Sequence, residues 1–454
     1  MNEIDLTGFK ERENVELRTV VTAWLRAFEE ALSCGHRKKI AALFETEGNW
    51  RDVLVFTWHL TSKVGADAVA EGLLARQQAV GAKGFEISPE RTPPRRVKRL
   101  GRECIEAIFR FQTKVGRCEG ALRLVPTTDD TGGHKAWVIS TSLDELKGFE
   151  EQIGDKRPSG EAYSRNFGGD NWEDVRRKAQ IYDDREPTVL IVGGAQAGLS
   201  IAARLNQLGV DNLVVEKWPR IGDSWRKRYH SLALHNSINV NHLPYLPFPP
   251  TWPNYIPKDM LGLWFEVYAQ VLEINHWTNT EFTKGEWDEK AKRWLAHLKL
   301  SDGTEQILHP RHIVFANGVS SYPLIPELPG LDTFQGEVIH SEGFDSGAPF
   351  TGKKAIVIGT GSSANDIALD LHSFSCQTTI VQRGSTTVVS IDPSAKLNYA
   401  LYDEGPPIED CDLIASAATP PMIIKAYQLA TKRMTELDHD MIEGLKRIGF
   451  KYDI

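Results

Sequence analysis

The sequence predicts a small α+β domain followed by two α/β domains, on three observations. Within residues 1–150, apolar residues recur first at helical spacing and then at strand spacing. Two glycine-rich turns, at Gly193 and Gly359, each follow a strand-like run and open a helix-like run. A polar segment, residues 151–186, separates the two patterns. We therefore expect an α+β domain over 1–150, a linker over 151–186, and α/β domains over 187–345 and 346–454.

Composition places the chain among ordinary globular proteins. Its 454 residues are 41% hydrophobic and 25% charged, which is enough apolar material for several cores. The net charge of -8 argues against a nucleic-acid partner. The basic run at residues 94–99 is interpreted as a solvated face rather than a binding patch.

Neither a membrane anchor nor a cysteine framework is indicated. No run reaches the roughly 18 apolar residues that a spanning helix needs, and the amino terminus is too polar for a signal peptide. The five cysteines are scattered and include no C-x-x-C pair, so neither a disulfide scaffold nor a metal site is expected. We expect a cytoplasmic protein.

The elements of the first domain follow from hydrophobic periodicity. Two helices come first, at residues 20–32 and 40–44, before a strand at 50–60 and a helix at 66–80. Three further strands are predicted, separated by polar turns such as the one at 129–133, and they cover residues 105–111, 121–125 and 137–140.

Three short motifs accompany these elements: W-x-x-x-F at Trp24, Leu-Phe at Leu43, and W-R-D at Trp50. With the order of helices before antiparallel strands, they resemble the NTF2-like (SnoaL-like) family. That resemblance implies an α+β cone that either encloses a small ligand or serves as a homodimerisation module. We interpret the three histidines of this domain as surface or structural residues rather than catalytic ones, namely His36, His59 and His134.

The first glycine-rich turn lies in a predicted βαβ unit, whose second strand ends on Glu216. The start of a helix offers free N–H groups to a pyrophosphate, and an acid at this position can hold ribose hydroxyls. Ala195 replaces the middle glycine of G-x-G-x-x-G, and we interpret its methyl group as weakening the site rather than removing it. The cofactor-binding residues expected here are Gly193, Gly194, Gln196, Ala197, Gly198, Glu216 and Lys217.

The second turn reads G-x-G-x-x-A, with Gly359, Gly361 and Ala364. The strand after it ends on Arg383 rather than on an acid. A cation at this place suits the 2′-phosphate of NADPH, which an acid would repel. The two turns therefore indicate two different nucleotides. The residues expected to hold the second one are Gly359, Gly361, Ser362, Ser363 and Arg383.

Between the turns lies F-x-G-x-x-x-H-x-x-x-F, with its histidine at His340 and its last residue at Phe344. With G-D-S-W at Gly222 and R-Y at Arg228, this pattern resembles the flavin-containing monooxygenases, nearest to their YUCCA-like and fungal branches. The resemblance covers residues 187–454. His340 is interpreted as part of the link between two nucleotide domains, where it also fits a purely structural role.

The resemblance implies FAD at the first turn, NADPH at the second, and an oxidoreductase that inserts one oxygen atom of O2 into a small organic substrate through a C4a-(hydro)peroxyflavin. It implies cofactor contacts for Gly222, Trp225 and Arg228. It also implies a catalytic position at His235 or the adjacent Asn236, although a packed core role for His235 is an equal alternative. The substrate is left open among nitrogen, sulfur and keto-acid carbon.

Other interpretations compete with this one. Baeyer–Villiger enzymes carry a related motif that ends in tryptophan, so Phe344 favours the first group. A flavin disulfide reductase needs a redox cysteine pair, which Cys376 and Cys411 do not form in sequence. A third alternative is a truncated, non-catalytic or uncoupled relative that oxidises NADPH and uses its NTF2-like domain for assembly.

The end of the chain supports this third alternative. Domain 346–454 has two clear strands, a short third at 388–389, and then helices that begin at Pro420 and near Met441. So few parallel strands would leave an apolar sheet face uncovered. By comparison with the family, part of the fold is expected to be missing, and NADPH oxidation is expected to run mostly uncoupled.

Overall fold

The structure, a computed structural model, describes residues 6–127, 133–157, 167–319 and 322–453, with side chains from residue 14 onward in the first helix. Most of the polar turn predicted at 129–133, and residues 158–166 of the linker, lie outside the described residues. The chain divides into two compact units. Unit 1 is Met1–Glu150 with Val389–Asp438, and unit 2 is Glu151–Val388 with His439–Ile454.

The helices that the structure describes are α1 (Leu6–Ser33), α2 (Arg37–Ala42), α3 (Ala66–Val80), α4 (Trp172–Ile181), α5 (Gln196–Gln207), α6 (Asp223–Arg226), α7 (Lys258–Val271), α8 (Ser362–Ser373), α9 (Ile408–Ser416), α10 (Pro420–Leu437) and α11 (His439–Arg447). The strands are β1 (Phe44–Val53), β2 (Leu60–Val64), β3 (Lys83–Ile87), β4 (Arg95–Arg99), β5 (Arg102–Gln112), β6 (Gly116–Pro126), β7 (His134–Leu146), β8 (Val189–Val192), β9 (Asn212–Val215), β10 (His276–Trp277), β11 (Glu281–Asp288), β12 (Arg293–Lys299), β13 (Glu305–Leu308), β14 (His312–Phe315), β15 (Lys354–Ile358) and β16 (Gln377–Val381).

Unit 1 is built on a seven-stranded sheet in the order β2-β1-β7-β6-β5-β3, with β4 paired to β5. Strands β1 and β7 are parallel, and the other neighbours are antiparallel. Helices α1 to α3 cover one face, where aromatic rings such as Trp24, Phe28 and Phe44 form the core. The predicted α+β organisation is therefore observed, with β2, β3 and β4 added to the predicted strands.

The strand predicted over 50–60 is interrupted, which corrects that part of the prediction. The buried carboxylate of Asp52 accepts hydrogen bonds from the backbone N–H groups of Phe56 and Thr57. Leu54 has a φ of 68°, in the left-handed region. These hydrogen bonds use backbone N–H groups that would otherwise pair with a neighbouring strand, and the chain therefore turns back after Val53. Strand β1 ends at Val53, and β2 begins only at Leu60.

The other face of this sheet is covered by the late segment of unit 1. Ile108 and Val138 of the sheet are buried with Ile414 of α9 and Met422 of α10. Asp410 of α9 is also buried, and its ion pairs and hydrogen bonds tie it to β3–β4 loop residues such as Arg91. The segment 389–438 thus packs with unit 1, whereas the sequence assigned all of 346–454 to one domain. Strand β5 needs this cover because side chains on both of its faces are apolar.

The basic run is not a solvated face, which corrects its interpretation. Arg95 and Arg99 of β4 have side chains only 22% and 14% exposed, and both pair with buried Glu106. Arg96, on the opposite side of the strand, is half exposed. Because successive side chains of a strand point to opposite faces, part of the basic run forms buried ion pairs and the other part faces solvent.

Unit 2 contains a four-stranded parallel sheet in the order β10-β9-β8-β14. Helices α5 and α7 pack on it through side chains such as Leu199, Leu261 and Phe265. The two strands of the predicted βαβ unit are confirmed as β8 and β9, and the helix between them as α5. An antiparallel meander, β11-β12-β13, inserts before β14 and was not indicated by the sequence.

The linker contains one helix, α4. Helix α4 begins with a capping box, in which Asn171 and Asp174 bind each other's backbone N–H groups. It then packs beside the parallel sheet, since Trp277 donates its ring N–H to the carbonyl of Gln180. Tyr182, which follows the helix, is buried against the sheet residue Leu213.

The region after residue 346 contains a two-stranded parallel sheet, β15-β16, with α8 between the strands. The short strand expected at 388–389 is absent from the described residues. Thr386 forms a bridge with Tyr452 instead, because the segment after α11 lies along the chain that follows β16. The uncovered apolar face is confirmed, since Ile356 is 64% exposed and Ile358 is 59% exposed.

Candidate functional site

Unit 2 contains a candidate site, a cavity of about 870 Å³, within the size range of small-molecule sites. It lies at the carboxyl ends of β8, β9 and β14, where open parallel sheets bind ligands. Its lining combines residues 193–197 of the first glycine-rich turn, residues 316–319 after β14, and Ser363 of α8. The first turn and the helix of the second turn therefore contribute to one cavity.

The first turn requires glycine at two positions. Gly193 has a φ of 110°, and a Cβ there would lie 2.6 Å from the carbonyl oxygen of Ala316. A Cβ on Gly198 would lie 1.9 Å from the carbonyl oxygen of Gly193, so this glycine permits close packing of helix on strand. Ala195 is the N-cap of α5 with a φ of -107°, an ordinary conformation for alanine. The turn thus retains its shape without a middle glycine.

Glu216 orders this turn through its carboxylate. It is 7% exposed, accepts a hydrogen bond from the Gly194 N–H over 2.8 Å, and accepts another from the Trp218 N–H over 3.0 Å. A carboxylate has about four lone-pair positions, so two hydrogen bonds leave capacity for ligand hydroxyls. Because Glu216 also lines the cavity, it can hold both the turn and a ligand.

The segment after Gly222 contributes further polar groups. The hydroxyl of Ser224 is buried, lines the cavity, and has no hydrogen-bond partner among the described residues. The ring N–H of Trp225 donates to the Gln196 side chain over 3.3 Å. Arg228 also lines the cavity. Gly222 itself does not line the cavity. It has a φ of 90° and lies against the Gly262 carbonyl, so it allows close packing against α7.

Two lysines and two aromatic rings line one part of the cavity. The ammonium group of Lys227 lies 3.8 Å from the ring centre of Trp218, and that of Lys217 lies 5.1 Å from the ring centre of Tyr322. The sequence indicated only Lys217 among these residues. A cationic and aromatic lining suits a planar, anionic ligand, since cations favour phosphate and rings favour stacking.

The proposed catalytic residues line a second cavity of about 420 Å³. His235 is exposed and Asn236 is half buried. This cavity shares Gln196, Ala197 and Trp225 with the larger one, so the two cavities adjoin. The structure therefore brings both candidates next to the predicted cofactor region.

The second turn is open. Gly359 has a φ of 118°, which favours glycine, and Gly361 is the N-cap of α8 with a φ of -74°. A Cβ on either residue would meet nothing within 4 Å. Ser363 lines the larger cavity, whereas Gly359, Gly361 and Ser362 line neither cavity.

Arg383 is exposed two residues after the end of β16, and its side chain makes no hydrogen bond or ion pair with the described residues. Close to it, the hydroxyl of Ser385 donates to the carboxylate of Asp453 over 3.2 Å. The side chain of Gln382 binds both backbone groups of Lys451. The carboxylate of Asp453 therefore lies beside the segment predicted to bind a 2′-phosphate.

Sequence reasoning missed several lining residues, including Ser224, Trp218, Lys227 and Tyr322. Ser224 stands inside the G-D-S-W motif, which was a usable signal. The other residues follow no motif, because folding alone brings them to the cavity.

Other kinds of site receive no support from the described ranges. All five cysteines are free, and Cys376 and Cys411 belong to different units. Histidines, cysteines and carboxylates nowhere gather into a group that could hold a metal ion, within the part of the chain that the structure describes. Over the same residues, every helix is too short or too polar to cross a bilayer.

Comparison with known proteins finds similarity in the part of the chain that forms the cavity. Residues 187–400 match the family model "Flavin-binding monooxygenase-like". The chain is 35% identical over 214 residues to "Probable indole-3-pyruvate monooxygenase YUCCA9" of Arabidopsis thaliana, covering 47% of this chain and 51% of that protein. It is 33% identical over 204 residues to "Indole-3-pyruvate monooxygenase YUCCA1" of Oryza sativa subsp. japonica, covering 45% and 49%. The chain thus spans about half the length of these relatives.

Solved structures show a more distant likeness. The flavin-containing monooxygenase from Stenotrophomonas maltophilia aligns with a TM-score of 0.41 and 23% identity, over 51% of this chain and 68% of that one. The S-allyl-L-cysteine S-oxygenase from Allium sativum aligns with a TM-score of 0.40 and 21% identity, over 45% and 53%.

Proposed function

We propose that this chain is an FAD- and NADPH-dependent monooxygenase acting on a small organic substrate, because residues 187–400 match the flavin-binding monooxygenase-like family model. The observation that carries the proposal is the convergence of the first glycine turn and α8 of the second on one cavity. Hydride transfer between two nucleotides requires that both bind side by side.

The residues around the larger cavity fit FAD. The first turn leaves the start of α5 available to a pyrophosphate, and Gly193 and Gly198 allow the tight turn and the close helix–strand packing on which this position depends. Buried Glu216 has lone pairs for ribose hydroxyls, and the unpartnered hydroxyl of Ser224 would gain a partner from a bound ligand. Lys217 and Lys227 would lower the cost of placing phosphate there.

The second turn fits NADPH. The start of α8 and the open space above Gly361 suit a pyrophosphate, and the unpaired cation of Arg383 suits a 2′-phosphate. Bound FAD would accept the hydride and activate O2. The protein would orient both nucleotides, and Trp225 with Arg228 would separate the reacting region from water.

His235 and Asn236 are proposed to position the substrate at the smaller cavity, beside Trp225. Hydrogen-bonding groups at that place can hold a polar substrate against the cofactor. The relatives are named for indole-3-pyruvate, an α-keto acid, and keto acids therefore join amines and sulfides as substrate classes to test.

The proposal is tested on the full chain by the absorbance spectrum of the purified protein, followed by oxygen uptake and NADPH oxidation with keto acids, sulfides and amines. FAD binding and substrate-dependent product formation support it. A chain that binds neither FAD nor NADPH contradicts it.

A second candidate is an uncoupled NADPH oxidase, and the exposed apolar face of β15-β16 favours it. Ile356 and Ile358 lie uncovered there, so water has access next to the second turn. The two candidates are separated by the product formed for each NADPH oxidised. Hydrogen peroxide in equal amount indicates the oxidase, and oxygenated product indicates the monooxygenase.

For unit 1 we propose an NTF2-like module that supports homodimerisation. Helices α9 and α10 cover the second face of its sheet, so a dimer would use another surface. Exposed Trp58, two residues before the edge strand β2, and exposed Leu60, the first residue of that strand, are suited to this role. Trp58→Ser with Leu60→Ser is expected to convert a dimer to a monomer in sedimentation experiments. A dimer that persists in this variant contradicts the proposed surface.

A further inference from the structure

Tyr229 connects the segment that lines the larger cavity to helix α8. Its side chain is 3% exposed and packs with Phe344, Ile367 and Leu371. Its hydroxyl donates a hydrogen bond of 2.5 Å to Oδ2 of Asp366. A partly buried polar contact of this kind holds two elements in one relative position, because breaking it removes a hydrogen bond from the buried Tyr229 side chain.

The contact has the character of a charge-assisted hydrogen bond. Burial raises the pKa of the Tyr229 hydroxyl, and the hydrogen bond to Asp366 and its charge raise that pKa further. The hydroxyl therefore stays protonated at neutral pH and acts as the donor. An O–H donor to a carboxylate makes a shorter and stronger bond than a neutral pair does.

The two partners stand next to the two nucleotide turns. Tyr229 directly follows Arg228, which lines the larger cavity with Trp225. Asp366 lies three residues after Ser363, which lines the same cavity, and residues at this spacing share one face of a helix. A backbone bond from His230 N–H to the Asp345 carbonyl, 2.8 Å long, supports the same junction.

We propose that Tyr229 is a positioning residue that couples occupancy of the FAD and NADPH sites through Asp366. This inference rests on the proposed function. A ligand that orders residues 225–228 also fixes the Tyr229 hydroxyl, which holds α8 and Ser363 in place for the second nucleotide. Coupling of this kind is reciprocal, so each nucleotide strengthens binding of the other by the same factor.

The test measures the Kd of FAD on the flavin-free full chain, by flavin fluorescence, with and without saturating NADP+. The ratio of the two values is the coupling factor. Tyr229→Phe keeps the packed ring and removes the donor, and it is expected to reduce the coupling factor by about tenfold, the effect of losing one hydrogen bond to a charged group. Asp366→Asn removes the charge of the acceptor and is expected to reduce the factor in the same direction, and the double variant should lose no more than Tyr229→Phe alone.

The matched control is Tyr402→Phe, which removes a 2.6 Å hydrogen bond to Asp412 in unit 1 and should leave the coupling factor unchanged. Thermal unfolding of each variant shows whether the fold is retained. A factor of one in the unmodified chain, or the same factor in Tyr229→Phe and Asp366→Asn as in the unmodified chain, overturns the inference while both nucleotides still bind. Binding of neither nucleotide overturns the proposed function, and the inference with it.

Discussion

The backbone N–H of Gly194 donates a 2.8 Å hydrogen bond to Oε2 of Glu216, which joins the first glycine-rich turn to the end of the next strand. The two residues are 22 positions apart in the chain. The bond places the carboxylate at the cavity before any ligand binds, so little conformational entropy remains to be lost on binding. The same bond makes Glu216 sensitive to substitution.

Glu216→Gln is expected to weaken FAD binding by about 1–3 kcal/mol, because the amide presents a donor where the carboxylate accepts hydrogen bonds. The Kd of FAD, measured by fluorescence quenching on the flavin-free chain, checks this. Glu305→Gln, at an exposed position of β13, is the control and should bind FAD normally. Equal affinities for Glu216→Gln and the unmodified chain would show that Glu216 does not contact the cofactor.

Ala195→Gly is expected to bind FAD as well as the unmodified chain or more tightly. Ala195 is the N-cap of α5, where glycine is better tolerated than alanine, and removal of its methyl group opens the turn. Ala197→Gly, inside the same helix, should instead destabilise the protein by about 1 kcal/mol. A clear drop in flavin occupancy in Ala195→Gly would mean that the methyl group contributes to binding.

Arg383→Ala is expected to weaken NADPH binding by about 1.5–3 kcal/mol and to leave NADH binding nearly unchanged, since only NADPH carries the 2′-phosphate. Isothermal titration with both nucleotides measures the difference. Arg311→Ala, at another exposed arginine of unit 2, serves as the control. Equal losses for NADPH and NADH rule out a 2′-phosphate contact.

Asp453→Asn is expected to strengthen NADPH binding a few-fold, because it removes a carboxylate that the Ser385 hydroxyl binds beside the predicted phosphate site. The effect is small because charges at exposed positions are screened. It should shrink as salt is raised from 0.05 to about 0.5 M, as measured by titration. Tighter NADH binding by the same factor would exclude an electrostatic origin.

Unit 1 is expected to lose stability in acid through Glu106. Burial alone would raise the pKa of this carboxyl, but hydrogen bonds and charges from Arg99 and Arg123 outweigh it and lower the pKa to about 2. A lowered pKa stabilises the fold above the usual value of 4.5, and this stabilisation is lost as the pH falls from 4.5 towards 2. The total loss from this group is about 3 kcal/mol.

Urea unfolding followed at a series of pH values measures this dependence. Glu106→Gln should lower stability at neutral pH, since it leaves the buried Arg123 without its carboxylate partner, and should flatten the acid dependence. The same slope in both proteins would assign the acid sensitivity to other carboxylates.

Local patterns in the sequence predicted the parts of the site that depend on neighbours in the chain. The βαβ unit around Gly193 and the strand-turn-helix at Gly359 lie where predicted, because glycine placement, apolar runs and helix starts act over short distances. Glu216 was found by its place at the end of β9. The interruption after Val53 was missed, since it depends on the burial of Asp52.

Only the tertiary structure decided which distant segments meet. Asp410 binds Arg91 and Thr92 across more than 300 residues, and this contact assigns α9 to unit 1. The pairing of Tyr229 with Asp366, and the arrival of Trp218, Lys227 and Tyr322 at one cavity, follow no local pattern either. The physical reason is that local propensity determines elements, whereas the burial of apolar faces such as those of β5 selects which elements pack together.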